Sequence, residues 1–280
     1  MNKTMELGKT NTLEILRFSD PGAYLVSEDG TEVLLPNAYV TDEMEVGEML
    51  DVFIYTDSED RLVATTLMPK AQRDEFGYFE VVDVTGFGAF VDWGLPKDLF
   101  IPKALQKIPL VVGMKFVFRV CLDENTNRLV GAHKFKKYIR TDIEDLEVNQ
   151  RVEIIIREKT PLGYKVIVDQ KYEAMIFHNE IFEDIWVGQK KIAYIKKIRS
   201  DRKLDISLQP IGRENENMAA HRVEKILRAH EGYMTYNYKS SSDEIKDTFG
   251  LSKKNFKKAL TKLAENEIIT IKEQGICLNK

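Results

Sequence analysis

The sequence predicts a mainly β chain: three small barrels of the OB-fold kind in tandem, followed by a C-terminal α+β domain of winged-helix type. Two observations carry the prediction. A glycine-anchored pattern recurs three times, and after residue 209 the hydrophobic period changes from that of a strand to that of a helix.

The anchors fall at fixed spacing. Gly22 to Pro36 is 14 residues and Pro36 to Gly47 is 11; Gly88, Pro102 and Gly113 repeat those intervals, as do Gly163, Phe177 and Gly188. Val33-Leu34-Leu35-Pro36-Asn37 answers Leu99-Phe100-Ile101-Pro102-Lys103 and Ala174-Met175-Ile176-Phe177-His178. After the third anchor each copy has an alternating run (Leu50 to Tyr55, Phe116 to Val120, Ile192 to Ile195), then a polar turn and a short β-prone run. Alternation bounded by turns reads as strand. About five strands in about 65 residues match a small closed Greek-key barrel, whose closure leaves no exposed sheet edge. The expected domains are residues 1–70, 71–147 and 148–208.

Residues 209–217 are polar with Pro and Gly and read as a linker to a winged helix at 218–280. There Val223, Ile226 and Leu227 share a helical face, Ser240 to Ser242 offers an N-cap to a short helix ended by Gly250, and Ser252 caps a longer one carrying Phe256, Leu260 and Leu263. Ile268 to Leu278 reads as a hairpin closed by Glu-Gln-Gly.

Charge is uneven. The net −4 hides 5 Lys/Arg against 14 Asp/Glu in residues 1–70 (−9), 11 against 12 in 71–147 (−1), 13 against 11 in 148–217 (+2) and 12 against 8 in 218–280 (+4). A polyanion is expected to prefer the C-terminal half. No apolar run approaches a membrane span and the N-terminus lacks a secretory core, so a cytoplasmic chain with no membrane partner is expected. Cys121 and Cys277 form no CxxC pair and read as small buried apolar residues.

Three clusters are candidates for contact with nucleic acid. Phe87 and Phe90 sit three apart in Gly86-Phe87-Gly88-Ala89-Phe90, where small neighbours leave ring faces open to stack on unpaired bases; a ring filling the core is the competing reading. Lys190, Lys191, Lys196, Lys197 and Arg199, with Tyr194 among them, either track a phosphate backbone or form a solvated hairpin face, and Lys136 and Lys137 lie in a stretch, Lys134 to Arg140, whose interleaved basic and aromatic residues suit a single strand and nearly as well a linker. In the winged helix, Lys253, Lys254, Lys257 and Lys258 load the third helix with charge, whereas only Asn255 there is suited to reading a base edge. Duplex DNA is therefore the less favoured partner. The four histidines have no metal spacing, Gly8-Lys9-Thr10 lacks the earlier glycine of a phosphate loop, and neither an enzyme nor a cofactor is expected.

The three units resemble S1-type RNA-binding OB domains, and GFGAFVDWG followed by Asp98-Leu99-Phe100-Ile101-Pro102 is similar to that motif's second and third strands. The resemblance implies that Phe87 and Phe90 stack on RNA, while the motif's histidine position is Ile101. The match is good in the middle unit; the aromatic positions are Pro21 and Tyr24 in the first unit and Leu162 and Lys165 in the third. Over its whole length the chain resembles the bacterial conserved virulence factor B (YitL-like) family, through Asp51-Val52-Phe53-Ile54-Tyr55, Arg61 to Thr66, Gly88 to Leu99 and Leu122-Asp123-Glu124. That resemblance implies three S1-type domains, a winged helix and a non-catalytic, single-stranded RNA-binding regulator of gene expression, with the ribosome or RNA-decay machinery as a further partner class. A DNA-binding regulator led by the winged helix and a protein-interaction scaffold are the other readings.

Overall fold

The computed structural model describes residues 4–279. The chain divides into two compact units between Ile139 and Arg140. The first holds two closed barrels, β1 (Thr10–Ser19), β2 (Gly22–Val26), β3 (Glu32–Pro36), β4 (Met49–Thr56) and β5 (Leu62–Thr65), then β6 (Phe76–Val84), β7 (Gly88–Asp92), β8 (Leu99–Pro102), β9 (Lys115–Asp123) and β10 (Arg128–Ala132). The second holds a third barrel and the winged helix. Its strands are β11 (Arg151–Thr160), β12 (Gly163–Val168), β13 (Tyr172–Phe177), β14 (Lys190–Ile198) and β15 (Leu204–Ser207). All three barrels have the order 1-2-3-5-4 and share a parallel pairing of third and fifth strands, as at Leu34 beside Val63, Phe100 beside Val130 and Ala174 beside Leu204.

The repeated glycines have physical causes. A Cβ on Gly22, Gly88 or Gly163 would lie 2.0, 2.4 or 1.9 Å from the carbonyl oxygen of Leu35, Ile101 or Ile176, so the second and third strands approach too closely for any side chain. Gly47, Gly113 and Gly188 turn the chain into the fourth strand at φ of 90°, 87° and 92°. Their amides donate to the carbonyls of Ile15, Val81 and Ile156 at 2.8, 2.8 and 2.7 Å. Immediately after those residues each first strand carries a bulge, between Ile15 and Arg17, Val81 and Asp83, and Ile156 and Glu158, which bends it around the barrel.

The expected alternation fails at β4, where Val52, Phe53, Ile54 and Tyr55 are all buried. Val52 and Ile54 fill the first barrel, whereas Phe53 and Tyr55 point out of it into a shared core with Trp93, Leu95 and Leu99 of the second. Phe53 meets the Trp93 ring edge-on at 5.7 Å, and the Trp93 indole N–H donates to the Lys97 carbonyl at 2.7 Å. The seam joins the first two barrels into one body.

The winged helix comprises α1 (Arg213–Ala229), α2 (Ser242–Phe249) and α3 (Lys253–Glu265), with β16 (Tyr233–Met234), β17 (Ile269–Lys272) and β18 (Gly275–Leu278). Ser241 caps α2 in a capping box with Glu244, Gly250 ends it in a left-handed conformation, and Ser252 caps α3. The stretch read as a linker is already helical from Arg213, because Ala219, Ala220, Val223 and Leu227 bury a stripe long enough to draw the preceding turn into α1. Ile143 and Leu146 pack into the third barrel, so the break between units precedes the expected 147/148 boundary. Cys121 is buried and its thiol raised by burial, but Cys277 lies half-buried on the wing rather than in the core.

Candidate nucleic-acid interface

Phe87 lies in the turn between β6 and β7 rather than on a strand, and its side chain is 85% exposed. The turn is held by Thr85, whose hydroxyl accepts from the amides of Phe87 and Gly88 at 3.3 Å each. Phe90 follows on the outer face of β7, between buried Ala89 and Val91. Beside it on β8, Phe100 points outward between buried Leu99 and Ile101, with the two rings 5.1 Å apart. Gly88 permits this arrangement, since a Cβ there would lie 2.6 Å from the Phe100 ring. Ile101, at the motif's histidine position, is fully buried. Phe100 was legible in the sequence, because alternation along β8 sends it outward if Leu99 and Ile101 point in.

These three rings line a cleft of about 540 Å³. Its opposite wall is the β4–β5 hairpin of the first barrel, with Tyr55, Thr56, Ser58 and Asp60, and Trp93, Leu99, Leu129 and Val130 complete the lining. Burial pushes the Tyr55 phenol up to about 12, so it stays neutral. At the rim, Asp60 forms ion pairs with Arg128 and, at 3.7 Å, with Lys97, whose ammonium also donates to the Asp57 carbonyl at 2.6 Å. Asp98 is raised from the ordinary carboxylate range, first by burial and then by Asp92 and Asp83. The cleft thus offers stacking faces beside a mixed rim of donors and acceptors, a combination that suits a base better than a phosphate alone.

The equivalent surfaces of the other barrels differ. The Arg17 guanidinium covers the Tyr24 ring at 4.1 Å in the first, and in the third Leu162 is exposed while Lys165 lies 3.9 Å from Glu158.

The basic clusters are partly spent within the fold. Lys191 pairs with Glu183 at 2.8 Å, Lys196 with Glu180 at 2.6 Å and Arg199 with Asp205 at 2.8 Å. Lys190 and Lys197 stay exposed, and Tyr194 is half-buried on the outer face of β14 between buried Ala193 and Ile195. Lys136 and Lys137 are exposed on a 3-10 turn. The aromatic interleaved there is not free: Phe135 is buried against Phe76 at 4.8 Å, and Tyr138 lies between Arg119 and Lys137.

On α3, Lys258 turns toward α1 and pairs with Glu216 at 2.7 Å, pulling that carboxyl below its usual range, and Lys262 bonds Asn217. Lys253 is half-buried, and Lys254 and Lys257 are exposed. Asn255 donates to the Gln209 side chain at 3.0 Å, so the one amide suited to reading a base edge is already engaged. Among the described residues there is no group of His, Cys, Asp or Glu suited to a metal ion, and no helix is long and apolar enough to cross a membrane.

Comparison with known proteins places this geometry. A family model described as S1 domain matches residues 7–67, and one described as CvfB-like winged helix domain matches residues 221–278. The S1 match thus falls on the first barrel, where Pro21 and Tyr24 stand at the aromatic positions of the RNA motif. Among curated chains, the uncharacterized protein YitL of Bacillus subtilis is 31% identical over 94% of this chain and 90% of its own length. Conserved virulence factor B of Staphylococcus saprophyticus is 26% identical over 98% and 95%. A crystal structure described as a multidomain protein with nucleic acid binding domains from Streptococcus pneumoniae is 28% identical, covers 98% of each chain and has a TM-score of 0.42. With its S1 barrels and C-terminal winged helix, the chain belongs to the conserved virulence factor B family, together with YitL.

Proposed function

We propose that this protein is a non-catalytic regulator of gene expression that binds single-stranded RNA, with virulence-factor expression as the output suggested by the name of its relatives. The observation that carries the reading is Phe87, 85% exposed on a held turn beside Phe90 and Phe100. Single exposed apolar residues are ordinary, but Phe87 is the most exposed of the large apolar residues described and shares one cleft with Phe90 and Phe100. Stacked on an unpaired base it contributes ~1–3 kcal/mol. A long RNA gains further from the exposed lysines of β14 and α3, since each additional contact along one strand is intramolecular. Engagement of Asn255 by Gln209 weighs against base readout in a duplex groove by α3.

The test is competition between labelled single-stranded RNA and duplex DNA for the full chain at matched salt, repeated with Phe87→Ala. The expectation is preference for the single strand and a ~5- to 150-fold loss of its affinity in the variant. Duplex preference together with an unaffected variant would overturn the reading in favour of the winged helix. Absence of binding to either nucleic acid would favour a protein-interaction scaffold.

A further inference from the structure

The first barrel carries a net −9 over residues 1–70, yet it supplies one wall of the aromatic cleft. Its β4–β5 hairpin places Asp60 at the rim, where one carboxylate engages both Arg128 and Lys97 of the second barrel. Those are the two cations that line the cleft alongside Phe87, Phe90 and Phe100. Asp60 is held there by its turn: the Asp57 carboxylate accepts from the amides of Glu59 and Arg61 at 2.9 and 3.0 Å, and the Asp60 amide donates to the Asp57 carbonyl at 3.1 Å. With φ of 62°, residue 60 occupies a conformation that Asp and Asn tolerate better than other side-chain-bearing residues.

We infer that Asp60 is a built-in competitor for RNA phosphate, occupying Arg128 and Lys97 so that the cleft admits a strand by base stacking and disfavours indiscriminate capture of polyanions. The inference rests on the RNA-binding reading of the same cleft and assigns the acidic barrel a role in selectivity. Its physical basis is that a phosphate reaching the rim must displace a carboxylate from cations that are 57% and 38% exposed at their side chains. Ion pairs so exposed are weak, so the competition is reversible and sensitive to salt. An anion without a base lacks the stacking contribution that would offset the displacement.

The experiment measures binding of a single-stranded RNA and of inorganic polyphosphate to the full chain and to Asp60→Asn, each over a salt titration. Asn keeps the shape and backbone tolerance of the residue, so the turn persists. Glu43→Gln, exposed on the same barrel and outside the cleft lining, is the control for loss of one negative charge. Asp60→Asn is expected to bind RNA about three- to tenfold more tightly at low salt, with a salt slope steeper by about 0.7 to 1.4 for one or two released cations. Polyphosphate is expected to gain by a larger factor than RNA, and Glu43→Gln is expected to change little. If wild type binds RNA but Asp60→Asn shows no gain in affinity or slope, or Glu43→Gln gains equally, the inference falls and the RNA-binding reading stands. If neither protein binds RNA, both fall.

Discussion

Phe53→Ala tests whether the first two barrels act as one body. Phe53 is fully buried, yet it belongs to the seam with Trp93, Leu95 and Leu99 and not to the core of its own barrel. Removing the ring deletes the edge-on contact with Trp93 and a stacked neighbour, Tyr55, 6.5 Å away. Burial of a phenylalanine followed by a cavity costs about 3–5 kcal/mol on truncation. Taking about 4 kcal/mol over a urea m-value of about 2 kcal/mol/M, the unfolding midpoint should fall by about 2 M. The chain supplies its own probe. Trp93 is 2% exposed at the seam, whereas the other tryptophan, Trp186, is 61% exposed and its emission should change little on unfolding. Urea titration followed by the blue component of tryptophan emission therefore reads the seam. A Trp93 transition that moves by less than about 0.5 kcal/mol would refute the reasoning, because it would mean that the second barrel does not depend on the first.

The two glycines flanking Phe87 give opposite expectations. Gly88→Ala drives a Cβ to 2.4 Å from the Ile101 carbonyl and should cost several kcal/mol in thermal unfolding, about 3 or more, whereas Gly86→Ala meets open space and should change stability by less than about 1 kcal/mol. Ser241→Ala removes the cap of α2 and should cost about 1 kcal/mol, read by denaturant unfolding. The Lys70 ammonium, 2.5 Å from Asp92, holds that carboxyl below its ordinary value of 3.8 against opposing burial. Because the folded pKa lies below the unfolded one, this stabilisation is present above about pH 4 and is lost as pH falls through the folded pKa. Asp92→Asn should therefore flatten that part of the acid-unfolding curve, and an unchanged curve would discount the pair.

How much of this was legible in the sequence depends on what each residue answers to. Gly22, Gly88 and Gly163 and the turn glycines Gly47, Gly113 and Gly188 answer to backbone geometry within one unit, so their spacing revealed both barrel and repeat. The caps Ser241 and Ser252 were equally local. Phe53 and Tyr55 answer to a neighbouring barrel; along β4 they broke the alternation without showing what they packed against. The same limit applied to charge. Lys258 read as a cation for phosphate and Asn255 as a base-reading amide, but their partners Glu216 and Gln209 lie more than 40 residues away in sequence. Phe135, in the basic-aromatic stretch around Lys136 and Lys137, is buried against Phe76, a partner 59 residues earlier that no local pattern announces. Of the cleft, the two phenylalanines of the motif were visible. Phe100 needed the strand period, and Tyr55, Asp60, Lys97 and Arg128 needed the seam.

The rise in charge along the chain and the position of the aromatic cleft pull in different directions. Net charge favours the C-terminal domain, +4 over residues 218–280, while the aromatic cleft with its exposed Phe87 lies in the first unit. Stacking and phosphate contact differ in their response to salt, and this separates them in the intact chain. Each phosphate contact on a single strand contributes about 0.7 to the slope of log affinity against log salt, whereas stacking contributes affinity with little slope. Lys254→Ala with Lys257→Ala removes two exposed cations of α3 and should lower the slope by up to about 1.4, with the loss in affinity shrinking as salt rises. Phe87→Ala should lower affinity by a similar factor at every salt concentration. On the proposed RNA-binding reading the two changes should add in free energy, because the lysines and the ring would then contact different parts of one strand. If instead the lysine pair leaves the slope unchanged, α3 does not touch RNA. If Phe87→Ala changes only the slope, the ring supports a phosphate contact and the base-stacking account of the cleft is wrong.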